Sequence, residues 1–303
     1  MQQEAVAVLA LVAATGKGGE WMRTAALIED VGSAVAVIDG RWDTPPLDVI
    51  EAERLRNEVS AEIRENAATV VESLHSDGVT LLTLLDPGYP VNLRAIYNRP
   101  PFVTVRGHLE AADQRAVAIV GTRQATAEGR AQASALARDL AGEGVTVLSG
   151  LALGIDGAAH AAALDAGGRT VAVMGTGVNR IYPSEHKGLA HRIVESERGA
   201  LVSQFWPDAP PTKYSFPMRN VVMSGMAVGT VVIEASRTSG AKMQARLALD
   251  HGKRLFLVES LVMQEQWARD FAERPGVTVV RSATDVLDVL VELAQPIEQL
   301  TLS

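Results

Sequence analysis

The sequence predicts an α/β fold: an extended Rossmann-like, doubly wound, mostly parallel sheet preceded by a small helical domain. Three observations point there. From Val117 onward, valine-rich apolar runs of four or five residues recur without alternation, as strands covered on both faces require. Helical stretches separate most of these runs, which is the βαβ pattern of a parallel sheet. Four loops then stand beside strand-like runs, at Gly121-Thr122-Arg123, Ser149 to Asp156, Gly175-Thr176-Gly177 and Phe216 to Asn220. In an open α/β sheet such loops gather at one edge, where backbone N–H groups and helix N-termini attract anions.

At the front, Glu4 to Ala14 and Glu20 to Asp30 read as helices, and Gly16-Lys17-Gly18-Gly19 between them is similar to a helix-hairpin-helix turn. A plain interhelical turn is the preferred reading of it. Pro46 to Ser76 is a third helical stretch with its charges on a solvated face. The composition changes at Asp77, so the expected division is 1–77 and 78–303. Val79 opens a strand-like run stopped by Pro87, Gly88 and Pro90, and Phe102 to Arg106 is a second extended run. Strands follow at Ala116 to Val120, Val145 to Leu148, Val171 to Met174, Leu201 to Ser203, Thr230 to Ile233, Leu255 to Val258 and Val277 to Val280. Ala127 to Ala141 and Ile155 to Ala166 are the clearest helices between them.

Composition narrows the function classes. The 303 residues are 47% hydrophobic, enough for a sizeable core, and contain no cysteine, which removes disulfides and thiolate metal sites. The apolar stretch Ala5 to Ala14 is too short to span a bilayer and Glu4 gives it the wrong flank for a signal peptide, so a cytoplasmic protein is expected. A net charge of -8 seemingly opposes a nucleic-acid partner, but its distribution is uneven. From Arg41 to Asp77 four arginines face nine acids; from Pro211 to Arg254 seven cations face only Glu234 and Asp250.

No GxGxxG follows the first strand and no acid stands at the ribose position, so an ordinary dinucleotide site is not expected. Arg123 after a strand-ending glycine suits bidentate phosphate pairing; pairing with a helix acid fits it as well. The glycines near Ser149 permit close backbone approach to a ligand, with Asp156 standing where an N-cap would. His160 reads as a packed core histidine, since no second ligand stands at metal spacing. Glu234 at a strand end reads as a structural carboxylate bonding loop N–H groups rather than a general base. No catalytic residue, metal site or cofactor is expected.

The blocks GTRQATAEGR, SGLALGIDGAAHAAAL, VAVMGTGVNRIYP, FPMRN and TSGAKMQARLALDHGKRLF resemble, in order, the DprA/Smf family of DNA-processing proteins. With the lead-in LDPGYPVNLRAIYNRPPFVTVRG, the likeness runs from about Thr80 to Val258. The resemblance implies a single-stranded DNA-binding recombination mediator that loads RecA during natural transformation, dimeric and without an established reaction. It implies that Gly121, Thr122 and Arg123 seat one phosphate and Ser149 and Gly150 a neighbour, with Gly175 in the same loop cluster. Lys213, Phe216, Arg219 and Asn220 would extend the groove, Phe216 stacking a base or equally packing at a helix start beside Pro217. Ser239 and Gly240 would open another helix whose Lys242 and Arg246, four residues apart, line the groove or solvate the helix.

Departures from the family pattern fall at Val221 and Leu153, where relatives carry cations, at Gln204, and at Glu259-Ser260 in place of Pro-Gly. No winged-helix domain is expected after Leu293. The divergence keeps a second expectation open, a nucleotide-binding sensor or antiphage defence component. The Pro-Gly-Gly-x-Gly-Thr loop of nucleoside-monophosphate-cleaving relatives has no counterpart at Glu234 to Gly240.

Overall fold

The computed structural model describes residues 2–16 and 20–294. Helices α1 (Gln2–Ala14) and α2 (Trp21–Val31) form as the sequence expects, while Lys17, Gly18 and Gly19 of the hairpin-like turn lie outside the described residues. A short helix α3 (Ala34–Asp39) was not anticipated. It exists because the Glu4 carboxylate accepts the Ala34 and Val35 amides and Ser33 caps Ala36, while Gly32 and Gly40 end α2 and α3 in the left-handed region. The stretch expected as one helix from Pro46 divides into α4 (Val49–Glu58) and α5 (Ala61–Ser76). Ser60 is extended and accepts the Ile63 amide, which restarts the helix on a new axis.

Nine strands then build one sheet: β1 (Val79–Thr83), β2 (Phe102–Gly107), β3 (Ala116–Val120), β4 (Thr146–Ser149), β5 (Thr170–Val173), β6 (Gly199–Ser203), β7 (Gly229–Val232), β8 (Arg254–Val258) and β9 (Val277–Val280). Their order is β1-β2-β6-β5-β4-β3-β7-β8-β9. β1 and β2 are an antiparallel pair, Val79 opposite Arg106, and β2 joins β6 antiparallel with Thr104 opposite Ser203. Every other neighbour is parallel. All five residues of β3 are buried, which is why they read as an unbroken apolar run.

The connections are α6 (Val91–Arg94), α7 (Ala127–Gly142), α8 (Ile155–Asp165), α9 (Lys187–Glu195), α10 (Ser215–Met226), α11 (Gly240–Asp250), α12 (Glu259–Gln264), α13 (Gln266–Ala272) and α14 (Ala283–Ala294). From β3 the chain steps one way through β4 and β5 to β6; α10 then carries it back past β3 to β7, and it continues through β8 to β9. Right-handed crossovers therefore put α7, α8 and α9 on one face and α10 and α11 on the other. Packing agrees, α7 lying on α8 and α10 on α11. The alanines of α8 allow that close approach, with Ala159 and Ala163 fully buried.

The helical front seats on the antiparallel end of the sheet. Trp21 packs its ring against Phe102 and Phe205, at 6.1 and 6.2 Å between centroids, and Glu29 pairs with Arg99 from the β1–β2 connection. The main apolar core draws on residues from Ala7 in α1 to Leu290 in α14, with two smaller clusters beside it. No described helix is long and apolar enough to cross a membrane.

Candidate nucleic-acid interface

The strand order reverses between β3 and β7, and a crevice opens there beyond the carboxyl ends of the strands. The turn after β3 is fixed by backbone alone. Thr122 donates its N–H to the Glu234 carbonyl at 2.7 Å and accepts from the Ile155 amide at 3.3 Å, which ties it to the end of β7 and the start of α8. A Cβ at Gly121 would overlap Ile155, and one at Gly154, whose φ is +80°, would meet the Thr122 and Arg123 carbonyls. Glu234 Oε2 accepts from the Thr126 N–H at 3.0 Å and its hydroxyl at 3.1 Å, the structural role its sequence context indicates. Held this way, Arg123 projects into solvent, its guanidinium carbon 4.8 Å from the Phe216 ring centroid. It has no carboxylate partner among the described residues, so the alternative of a surface ion pair with a helix acid is not what the chain adopts.

The loop after β4 is organised around its own acid. Gly150 and Ala152 donate their N–H groups to Asp156 Oδ2 at 3.1 and 3.4 Å, so these amides cradle a side chain of the chain itself. The cap of α8 is Gly154, and Asp156 sits inside the first turn instead of at the N-cap. Burial pushes the Asp156 carboxyl up, opposed by the Arg219 charge and the two amides. Ser149 donates its hydroxyl to the Ile119 carbonyl at 2.6 Å. Leu151 takes φ 59°, a strained backbone for a branched side chain, and its carbonyl accepts from His186 Nδ1 at 2.9 Å. His160 is fully buried, its Nδ1 2.7 Å from the Thr170 hydroxyl, as a core histidine should be. The Thr170 proton goes to the Val147 carbonyl, so His160 Nδ1 is the donor of that pair.

Helix α10 forms the opposite wall. Thr212 and Ser215 exchange side chain to backbone hydrogen bonds at 3.0 Å in both directions, fixing where the helix begins, two residues before Pro217. Phe216 in the first turn lies over Gly175, where an added Cβ would stand 2.6 Å from Phe216 Cδ1. Arg219, one turn later, is only 6% exposed. Its Nη1 bonds the carbonyls of Gly150 and of Val173, the latter at 2.8 Å, and its Nε bonds Asn220 Oδ1 at 3.0 Å. Arg219 is therefore mainly a clamp across the ends of β4 and β5, while its side chain also lines the cleft. On the far side Ser239 caps α11, accepting from Ala241 and Lys242, and Gly240 fronts open space.

These elements enclose a cleft of about 440 Å³. It brings together Gly121, Thr122 and Arg123 from one side, Phe216, Arg219 and Asn220 from another, and Ser239 and Gly240 from a third. Ser149, Gly150 and Gly175 do not line it: the Ser149 hydroxyl and the Gly150 N–H bond to the protein itself, and Gly175 lies against Phe216. Lys213 stands outside it, exposed and 5.0 Å from the Tyr214 ring centroid, and Lys242 turns away to the Trp267 ring at 5.8 Å. Arg246 faces solvent beside Asp250 at 3.5 Å. Sequence reasoning missed Tyr182, whose ring is 5.8 Å from Phe216; it lies in an irregular loop where no spacing rule marks a site. Among the described residues no cluster of His, Asp and Glu could hold a metal ion.

Residues 80–290 match the family described as DNA recombination-mediator protein A. The chain is 43% identical over 168 residues to protein Smf of Escherichia coli, a stretch covering 55% of this chain and 45% of that protein. It is 31% identical over 252 residues to DNA processing protein DprA of Bacillus subtilis, covering 81% of this chain and 82% of the other. The X-ray structure of DprA from Streptococcus pneumoniae superposes with a TM-score of 0.66 at 26% identity, over 88% of this chain and 95% of that one. A Helicobacter pylori DprA structure, described for its single-stranded DNA binding mode, gives 0.62 at 25% identity, over 71% and 96%.

Proposed function

Because the chain belongs to the DNA recombination-mediator protein A family, we propose that it binds single-stranded DNA at the switch-point cleft and acts as a recombination mediator. One observation carries the reading. Arg123 is exposed at the mouth of the cleft, unpaired among the described residues and oriented by the Phe216 ring, so its outer edge is free for a backbone phosphate. Arg219, Asn220, Ser239 and the N-terminus of α11 at Gly240 add further donors on the walls. None of these contacts depends on base identity, as expected of a strand binder without sequence preference. Loading of a RecA-type recombinase, by a homodimer, is the role we assign to the bound state. Residues 1–77 are read as a helical domain that buttresses residues 78–303.

The test is affinity for a dT oligonucleotide as salt is raised. Log affinity should fall about 0.7 per tenfold salt for each phosphate neutralised, and Arg123→Ala should weaken binding about tenfold or more and flatten that slope by about 0.7. A slope unchanged in Arg123→Ala removes this residue from the site. The cleft volume favours a second reading, since about 440 Å³ also suits one small ligand. A nucleotide-sensing protein of that kind, in phage defence for instance, would show a shallow salt slope and lose oligonucleotide to free mononucleotide.

A further inference from the structure

Phe216 is the aromatic that a strand-binding cleft would be expected to use, yet its ring is already occupied by protein. It is half-buried, with Gly175 under one edge. The Arg123 guanidinium lies 4.8 Å from its centroid, and the Tyr182 ring lies 5.8 Å away, tilted by 48°. A base reaching Phe216 therefore competes with these two neighbours for its ring. Tyr182 is different. It is 43% exposed, leaves the loop between β5 and α9, and its hydroxyl has no protein partner among the described residues.

We propose that Tyr182, packed on Phe216 beside the cleft, is the base-stacking platform of this site, Phe216 being the spacer on which both Tyr182 and Arg123 pack. The proposal rests on the single-strand reading above. Physically the arrangement separates two tasks: the exposed guanidinium takes phosphate, and the exposed aromatic takes a base. The spacer has to be apolar, flat and anchored. Gly175 supplies the anchorage, because any side chain there would push the ring out of line.

The experiment measures Kd by fluorescence anisotropy for a dT oligonucleotide and for an abasic strand of equal length, with the full chain, Tyr182→Ala and Tyr182→Phe. Tyr182→Ala should weaken the dT complex about tenfold or more while changing the abasic complex less than about twofold. Tyr182→Phe should bind dT as the unsubstituted chain does. Equal loss on both strands would assign Tyr182 a structural role and overturn the proposal, as would no loss on either, or a phenylalanine no better than alanine. If the unsubstituted chain itself fails to bind dT, the single-strand reading falls and this inference with it; if it binds dT and Tyr182→Ala binds dT equally well, the inference alone is overturned.

Discussion

Arg219 and Arg123 show how differently a charge behaves deep in the cleft and at its mouth. Arg219→Ala would strand the Gly150 and Val173 carbonyls and leave buried Asp156 without its nearest compensating charge, a loss of about 3 kcal/mol of stability. Arg123→Ala, at the rim, should leave the denaturant midpoint nearly where it was; a clear fall there, or none in Arg219→Ala, would reverse these roles. His160 supplies a pH dependence. Burial lowers its pKa from 6.5 to about 3, so between those values the unfolded chain holds a proton that the folded chain excludes. Its contribution is complete above pH 6.5 and is lost as pH falls toward 3, reaching about 2 kcal/mol at pH 5. Urea midpoints at pH 7.5 and pH 5 should therefore drop less in His160→Gln than in the unsubstituted chain. Equal drops would mean that the imidazole is not the group being charged. His160 was legible as a core residue because nothing at ligand spacing accompanies it. Arg219 was not, because a sequence places an arginine on a helix face without saying how deep that face lies.

Helices α10 and α11 make the same point one level up. Phe216 and Arg219 are three residues apart and share the face that meets the sheet, as their spacing indicates. On α11 the residues that line the cleft are Gly240, Ala241, Met243 and Gln244, and Lys242 stands more than a quarter turn away from each of them. Pairing Lys242 with Arg246 on one face was sound; that face is simply not the one the cleft uses. The strands were legible almost to the residue because full burial removes alternation and leaves valine runs. What the runs do not encode is direction, and the antiparallel pairing of β1 with β2 and of β2 with β6 came from the structure. The helix break at Ser60 was written in plain capping chemistry.

At the scale of the molecule, the helical front and the sheet share one core, joined through Trp21, Phe102 and Phe205. Trp21→Ala should cost about 2–3 kcal/mol, somewhat below the full-burial range because the ring is only half-buried. The loss should appear in one unfolding transition monitored by circular dichroism and by tryptophan fluorescence together. Two separated transitions would instead show that the front and the sheet melt independently. The cleft is remote from this junction, so strand affinity under folding conditions should be kept in Trp21→Ala.

A carboxylate that is part of the chain cannot diffuse away. With Asp156 resident on the Gly150 and Ala152 amides, the adenine nucleotides and dinucleotides that crowd a cell meet no free seat at that turn, whatever their concentration. Selection of a ligand is left to the outer rim, where the groups are exposed and open to change without disturbing the sheet beneath.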